Sequence, residues 1–486
     1  MTKKKPNYLG FVWRKSSRVK AAQTLTLNSK KKWRNLYIRM TSKIEVKRGE
    51  KSLRKFTTSE IKLAIKQLNR KTSLDNMGIS NRMLKHLPLS GISLFKGLVN
   101  DCLENKVVPS VWRESIVTML QKKEENPSDP SNYRPISITS CLARLFEKLI
   151  LERLNAFLNS NNIIIDQQSG FRRKRQTKDN LAMLIQKTNE AFKKGKSVVA
   201  VFFDIQSAFD KVWHEGLLYK LVKLKVPHYL VRIVEAFLRE RTFVVKVNGM
   251  FSSVKMIRAG VPQGGVLSPT LFSIYINDCP KRKVKNKRYT LLFADDLMYF
   301  EIFKNKTPSL ERRINHYLEE LLKWSTKWRL TLAVAKCVYT VFSKKQMIDE
   351  FNLKLNGLTL IFDEAPKFLG VFLDTKLNFT KHLKYIEEKC NDRMGIIKAL
   401  AFGHFKLPFW VLRSLYKSLI RSLMEYTSFI SSLINKKDLN KLQVIQNKCL
   451  RLICGRDCST TTEELHEVAG VSQRPSRKND KKTHYQ

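Results

Sequence analysis

The stretch YTLLFADDLMYF, residues 289–300, sets two adjacent carboxylates, Asp295 and Asp296, inside an otherwise apolar run. Ionised carboxylates are almost never buried without a partner, and two side by side repel each other. A fold for this chain must therefore pair apolar strands while leaving both acids beside a cation. Leu292, Phe293, Leu297 and Tyr299 predict two strands joined by a tight turn, with Asp295 and Asp296 at its tip.

A second acid matches that requirement. VVAVFFD, ending at Asp204, is a continuous apolar run closed by one carboxylate, the pattern of a central strand buried on both faces. An acid there is badly placed for solvation but well placed at the lip of a sheet. Three such carboxylates suit phosphoryl transfer by two divalent cations ~3.5–4 Å apart, and Mg²⁺ favours carboxylate and phosphate oxygens. Asp210, six residues beyond Asp204 and past the expected strand-to-helix turn, is expected to be structural.

Charge narrows the partner. Lys and Arg number 91 against 42 Asp and Glu, a net charge of +49, and such an excess opposes compaction unless a polyanion compensates it. Nucleic acid fits, since each neutralised phosphate releases counterions. At 43% hydrophobic residues the chain reads as globular. No run approaches the ~18 apolar residues of a membrane helix and no signal-peptide pattern opens the chain. Eight cysteines without framework spacing predict free thiols in a reducing, intracellular setting, nucleus or cytoplasm.

Along the chain, residues 1–55 hold 18 Lys or Arg and two Glu, which predicts a basic arm or linker. TTSEIKLAIKQL (57–68) predicts a helix capped by Thr58 or Ser59. A second helix is expected near 87–104, then a strand over VPSVWRESIVTMLQKK (108–123), and a loop over 125–137 from its Pro, Asn and Ser content. Helix 141–159, a basic turn leading into a helix, and the strand-to-helix segment 197–221 follow. A hairpin centred on Asn248-Gly249 is predicted within 244–260, then a glycine turn and apolar helix over 261–278. Beyond 380 the pattern is amphipathic helix, with a polar tail from about 473. Cys449, Cys454, Cys458 and His466 lack common zinc-finger spacing, which favours buried thiols.

NYRPISITS, QSGFR, FFDIQSAFDKVWHEGLLYKL, GVPQGGVLSPTLFSIYINDCP, LLFADDLMYF, KFLGVFLDTKLNFTKHL and IQNKCLRLICG occur in one order and at compatible spacing. In these blocks the chain resembles the reverse transcriptases of non-LTR, jockey-like retrotransposons over roughly residues 57–470. The resemblance implies an α+β right-hand polymerase: fingers over 56–196, a palm with an antiparallel sheet over 197–380, and a helical thumb over 381–472. It implies an RNA template, a DNA primer, dNTPs and Mg²⁺, with Mn²⁺ as a substitute; oligomeric state stays open.

The resemblance also implies roles. Asp204 and Asp295 coordinate both metals, Asp296 assists, and the Ile205 carbonyl adds a ligand. Phe209 lies under the incoming sugar, where a 2′-hydroxyl clashes; RNA-copying RNA polymerases carry a polar acceptor there instead. Gln263, Gly264 and Gly265 form the turn that meets the templating pair and nucleotide. Arg172 grips the triphosphate, Lys336 protonates the pyrophosphate, and the primer-grip hairpin 367–374 includes Gly370. Three departures from the family pattern stand out: KTSLDNMGIS (71–80) in place of a Pro-Gly-Asp-like loop, Arg175-Gln176-Thr177 in place of His-Ser-Thr, and Ala333 in place of Asn. They leave open a catalytically degenerate nucleic-acid-binding remnant. The fewer than about 60 residues before the first helix are expected to hold no endonuclease, given the ~50–250 residues typical of a domain. No ribonuclease H-like acidic set is expected after the thumb.

Overall fold

The computed structural model describes residues 54–70, 73–122, 126–129, 132–280, 287–345, 350–403, 406–426 and 428–471. The expected basic arm, save residues 54 and 55, and the polar tail lie outside them. Two compact units emerge, each drawn from three stretches of chain.

The first unit takes the residues up to Arg173, Ile205–Lys281 and Glu320–Leu332. The first helix among its described residues, Thr58–Lys66, is capped by Thr57 rather than by Thr58 or Ser59. The Thr57 hydroxyl accepts from the Glu60 amide while Glu60 accepts from the Thr57 amide, the reciprocal pairing that satisfies two helix-end donors. The helix Leu89–Asn105 follows as expected, but the strand expected over 108–123 is confined to Glu114–Gln121, because Ser110–Arg113 is a helical turn. The loop expectation over 125–137 fails at its end, where Tyr133–Ile138 is a strand antiparallel to Glu114–Gln121. It lies at the sheet edge, where Pro135 does not interrupt the ladder. Thr242–Val247 pairs parallel to Glu114–Gln121 and turns back through Asn248 and Gly249, both at positive φ, as a two-residue hairpin requires.

The second unit takes Lys174–Asp204, Arg282–Glu319 and Ala333–Gln486. Its sheet runs in the order 361–362, 338–342, 197–203, 296–303, 288–293. The pairings are antiparallel except for the two-residue edge strand Ile361–Phe362, which runs parallel to Val338–Phe342. Ser197–Phe203 is buried at every position, as its unbroken apolar run requires. One apolar core joins Val198, Ala200, Met298 and Phe300 of this sheet to Ile386, Leu442 and Leu450 of the C-terminal helices. Tyr289 stacks on Phe300 with ring centroids 4.5 Å apart, and Tyr299 on Tyr317 at 4.2 Å. Offset stacking of this kind adds to simple burial. The helices Thr380–Phe402, Phe409–Tyr416, Lys436–Cys454 and Thr462–Ala469 complete the unit. No helix among the described residues is long and apolar enough to cross a membrane.

Candidate active site

The carboxylates sit at one end of the second unit's sheet. Arg288–Phe293 and Asp296–Phe303 form a hairpin in which Phe293 pairs with Asp296, so the turn is Ala294-Asp295 and Asp296 already opens the return strand. This refines the expected turn, with only one acid at its tip. Ala294 takes φ +56° and is buried; its small side chain fits a left-handed position where a β-branched one would be badly strained. The hairpin is held from behind by Asn180, 3% exposed, whose side-chain amide donates to the Leu292 carbonyl at 2.9 Å. A buried Asn on the apolar face of DNLAMLI was the legible signal for this support, and sequence reasoning passed over it.

Asp204 reaches the same place by register. Phe203 pairs with Leu297, so Asp204, one residue further, leaves the strand toward Asp296, on whose carboxyl its charge acts. The Asp204 backbone is fixed on its other side, where its carbonyl accepts from the Ala333 amide at 2.8 Å. Protein packed behind Asp296 strips water from its carboxyl even though the residue reaches solvent. That desolvation, and then the charges of Asp295 and Asp204, push it up to about 6. Three carboxylates gathered at one sheet end are a donor set a divalent cation fits. Among the described residues no three His, Cys, Asp or Glu side chains close into a ready-made cage. Mg²⁺ commonly takes one or two carboxylates and fills its remaining positions with water and substrate phosphate.

Lys336 ends a short 3₁₀ turn, Val334–Lys336, and is exposed. Gly370 takes φ +82° beside Leu369 at +46°, in the two-residue turn of the hairpin Lys367–Phe368 and Val371–Phe372. Tyr426 pins this turn, its hydroxyl donating to the Leu369 carbonyl at 2.6 Å and lying 2.9 Å from the Thr177 hydroxyl. No sequence pattern pointed to Tyr426.

The other candidates belong to the first unit. Ile205 is buried and bridges Leu332; the bridge's bonds use the Asp204 carbonyl and the Gln206 amide, not the Ile205 carbonyl. The Phe209 ring stacks on Phe272 at 4.6 Å and meets Phe171 edge-on at 6.1 Å, so its position is fixed. Gln263 donates from Nε2 to Asp210 at 3.0 Å, and its carbonyl accepts from the Ser137 amide at 2.8 Å. A Cβ on Gly264 would lie 3.0 Å from the Ser137 carbonyl oxygen, and one on Gly265 would lie 2.7 Å from the Ser268 hydroxyl. Backbone and φ of +104° thus demand glycine at 264, whereas at 265 a side chain would crowd the Ser268 hydroxyl. Arg172 spends Nη1 on the carbonyls of Ile165 and Gln168, at 3.1 and 3.2 Å, bracing the loop before it.

The departures from the family pattern are absorbed locally. Ala333 contacts Asp204 through its backbone, so its missing side chain leaves that bond intact. Asp179 caps the helix Thr177–Lys193, its carboxylate accepting from the Gln176 amide at 2.9 Å. Asp75, within KTSLDNMGIS, accepts from the Cys141 amide at 2.6 Å and from the Met77 and Ile79 amides. Burial pushes its carboxyl up, but these bonds outweigh burial and hold it below the ordinary range. As for the zinc alternative, Cys449 is buried and Cys458 exposed, and both His466 ring nitrogens lie within hydrogen-bond reach of Val471, Asn447 and Gln443.

Comparison with known proteins places the chain in a family. The chain is 31% identical over 414 residues to the RNA-directed DNA polymerase from mobile element jockey of Drosophila melanogaster, covering 84% of this chain and 45% of that protein. It is 32% identical over 406 residues to the probable RNA-directed DNA polymerase from transposon BS of the same species, covering 82% and 44%. For the probable RNA-directed DNA polymerase from transposon X-element, also of that species, the figures are 27% over 390 residues, 80% and 43%. The chain therefore spans less than half the length of these relatives. The family described as reverse transcriptase (RNA-dependent DNA polymerase) matches residues 120–373, more than half of the sequence. The chain belongs to the reverse transcriptase (RNA-dependent DNA polymerase) family.

Proposed function

We propose that this chain extends a DNA primer with deoxynucleotides on an RNA template, as the polymerase of a non-LTR retrotransposon. The observation that carries the reading is the meeting of Asp204, Asp295 and Asp296 at one sheet end, where desolvation and then the charges of Asp295 and Asp204 raise Asp296. Asp204 and Asp295 hold two divalent cations, Mg²⁺ with Mn²⁺ as a substitute, with Asp296 and the Ile205 carbonyl assisting. Cations held there would supply activation of the primer 3′-hydroxyl and neutralise charge on the leaving pyrophosphate. Lys336 delivers a proton to that pyrophosphate. Phe209, fixed by Phe171 and Phe272, excludes a 2′-hydroxyl, which argues against an RNA-copying RNA polymerase. Gln263, Gly264 and Gly265 face the nucleotide and template, Arg172 the triphosphate, and the hairpin at Gly370 the primer end.

In functional terms, residues 56–196 are fingers, 197–380 palm and 381–472 thumb. The net charge of +49 serves the template–primer backbone, and eight free cysteines suit work in the nucleus or cytoplasm. The competing reading, a binding remnant without turnover, is disfavoured because no departure from the family pattern removes a carboxylate. Primer extension on an RNA template with dNTPs and Mg²⁺ decides between them, with Asp295→Asn as the control. Extension by the parent and its loss in the variant support the polymerase. A folded parent that binds template yet adds no deoxynucleotide leaves the remnant.

A further inference from the structure

Glu147 lies on the buried face of the helix Cys141–Ser160 and is 1% exposed. A carboxylate this deep must find donors. Its Oε2 accepts two backbone N–H groups from a distant segment, Val266 at 2.7 Å and Leu267 at 3.0 Å. Those amides follow the turn at Gly264 and Gly265 and lead into the helix Ser268–Tyr275, whose N-cap residue, Leu267, offers no capping side chain. Glu147 thus supplies from another helix what the N3 Glu of a capping box supplies within its own, an acceptor for the N-cap amide.

Its hydrogen bonds go to the turn and not to a cation. Arg241, 0% exposed, donates from Nη1 to the Phe237 carbonyl at 3.3 Å and lies 4.6 Å from the Phe237 ring centroid. Arg241 Nε and Nη2 and Glu147 Oε1 are all buried without a hydrogen-bond partner. Burial raises the Glu147 carboxyl, opposed by the Leu267 amide, Arg241 and the Val266 amide. At its other end the turn is fixed where the Gln263 carbonyl accepts from Ser137 and where Gly264 has no room for a side chain.

We infer that Glu147 is a positioning residue, which sets the Gln263–Gly265 turn by anchoring the amides of Val266 and Leu267. It touches no substrate and acts through Gln263, so the inference rests on the proposed nucleotide and template role of that turn.

The test uses the full chain and two variants. Glu147→Leu combined with Arg241→Met replaces the buried charges with apolar groups of similar volume, an exchange that often leaves stability unchanged, while removing the acceptor. Glu147→Gln keeps a neutral acceptor, weaker than a carboxylate. Amide hydrogen exchange at Val266 and Leu267 reads the anchor directly, and dNTP KM and kcat in primer extension read its consequence. In the double variant we expect exchange faster by about tenfold or more and a higher dNTP KM with a smaller change in kcat. Glu147→Gln falls between the double variant and the parent, and it carries the test alone if the double variant does not fold. Unchanged exchange at both amides in a folded variant overturns the inference. Faster exchange with an unmoved KM keeps Glu147 as the anchor and overturns the reading of Gln263 as a nucleotide contact.

Discussion

Replacing Lys220 by Met should change how stability depends on pH. Lys220, on the helix His214–Lys223, is 4% exposed. Its ammonium donates to Asp278 at 2.6 Å and to the Tyr275 carbonyl, and sits 3.6 Å from the Trp328 ring centroid. Asp278 also accepts from the Trp324 indole at 2.9 Å. Burial pulls the ammonium from 10.5 down to about 8, against the opposing pull of Asp278 and Cys279 and with a small push from Lys327. In the window between about 8 and 10.5 the unfolded chain holds this proton and the folded one has released it. Stability contributed by this group therefore rises with pH across that window and is level below it. The depression is worth roughly 3 kcal/mol at ~1.4 kcal/mol per unit. Integrated from pH 7, about 2 kcal/mol is recovered by pH 9.5 and nearly 3 by pH 10.5. Other alkaline groups titrate in both proteins, so the informative quantity is the difference between the parent and Lys220→Met. Urea unfolding followed by tryptophan fluorescence, run on both from pH 7 to 10.5, measures it. At pH 7 the variant should be at least as stable as the parent, since Asp278 remains within reach of water. The parent should then gain on it as pH rises. A difference flat in pH, or one that moves the other way, refutes the assignment of a strained, charged Lys220.

Three further outcomes follow from the candidate site. Mn²⁺ near a hundredfold its Kd should stabilise the parent by about 2.7 kcal/mol, read as a rise in Tm, and should leave Asp295→Asn close to its metal-free midpoint; equal shifts in both would place the metal elsewhere. With ~6–10 phosphate contacts, affinity for a primer–template duplex should fall by ~10³–10⁵ between about 50 and 200 mM salt, and a nearly flat titration would detach the +49 charge from nucleic acid. Phe209→Val should admit ribonucleotides, raising the rNTP-to-dNTP ratio of kcat/KM. If Phe209 only packs against Phe171 and Phe272, that ratio stays put and the variant merely loses stability, by less than the ~3–5 kcal/mol of a buried Phe truncated to Ala.

Where a single physical signal dominates, sequence and structure coincide. The apolar run before Asp204 predicts a strand buried on both faces, and Ser197–Phe203 is buried throughout. Asn248-Gly249 predicts a hairpin turn, and both residues take positive φ. The readings fail where signals compete. Pro, Asn and Ser over 125–137 point to a loop, yet Tyr133–Ile138 is a strand, because an edge position spares Pro135 the missing donor. The cap of the first helix moved by one residue to Thr57, because Glu60 returns its hydrogen bond.

The sequence by itself determined the chemistry on offer: three acids at the ends of apolar strands, an excess of cations for a polyanion, and ordered blocks that mark the family. Those properties are local, since burial preference, charge and turn chemistry are written in a few consecutive residues. Only the tertiary structure decided which groups hold the site in place. Asn180 behind the carboxylate hairpin, Ala333 on the Asp204 carbonyl, Tyr426 on the Leu369 turn and Glu147 on the Val266 and Leu267 amides all act across long stretches of chain. Each bond satisfies a backbone group that local structure leaves open. Which distant group meets it depends on how the chain packs, and no local pattern records it.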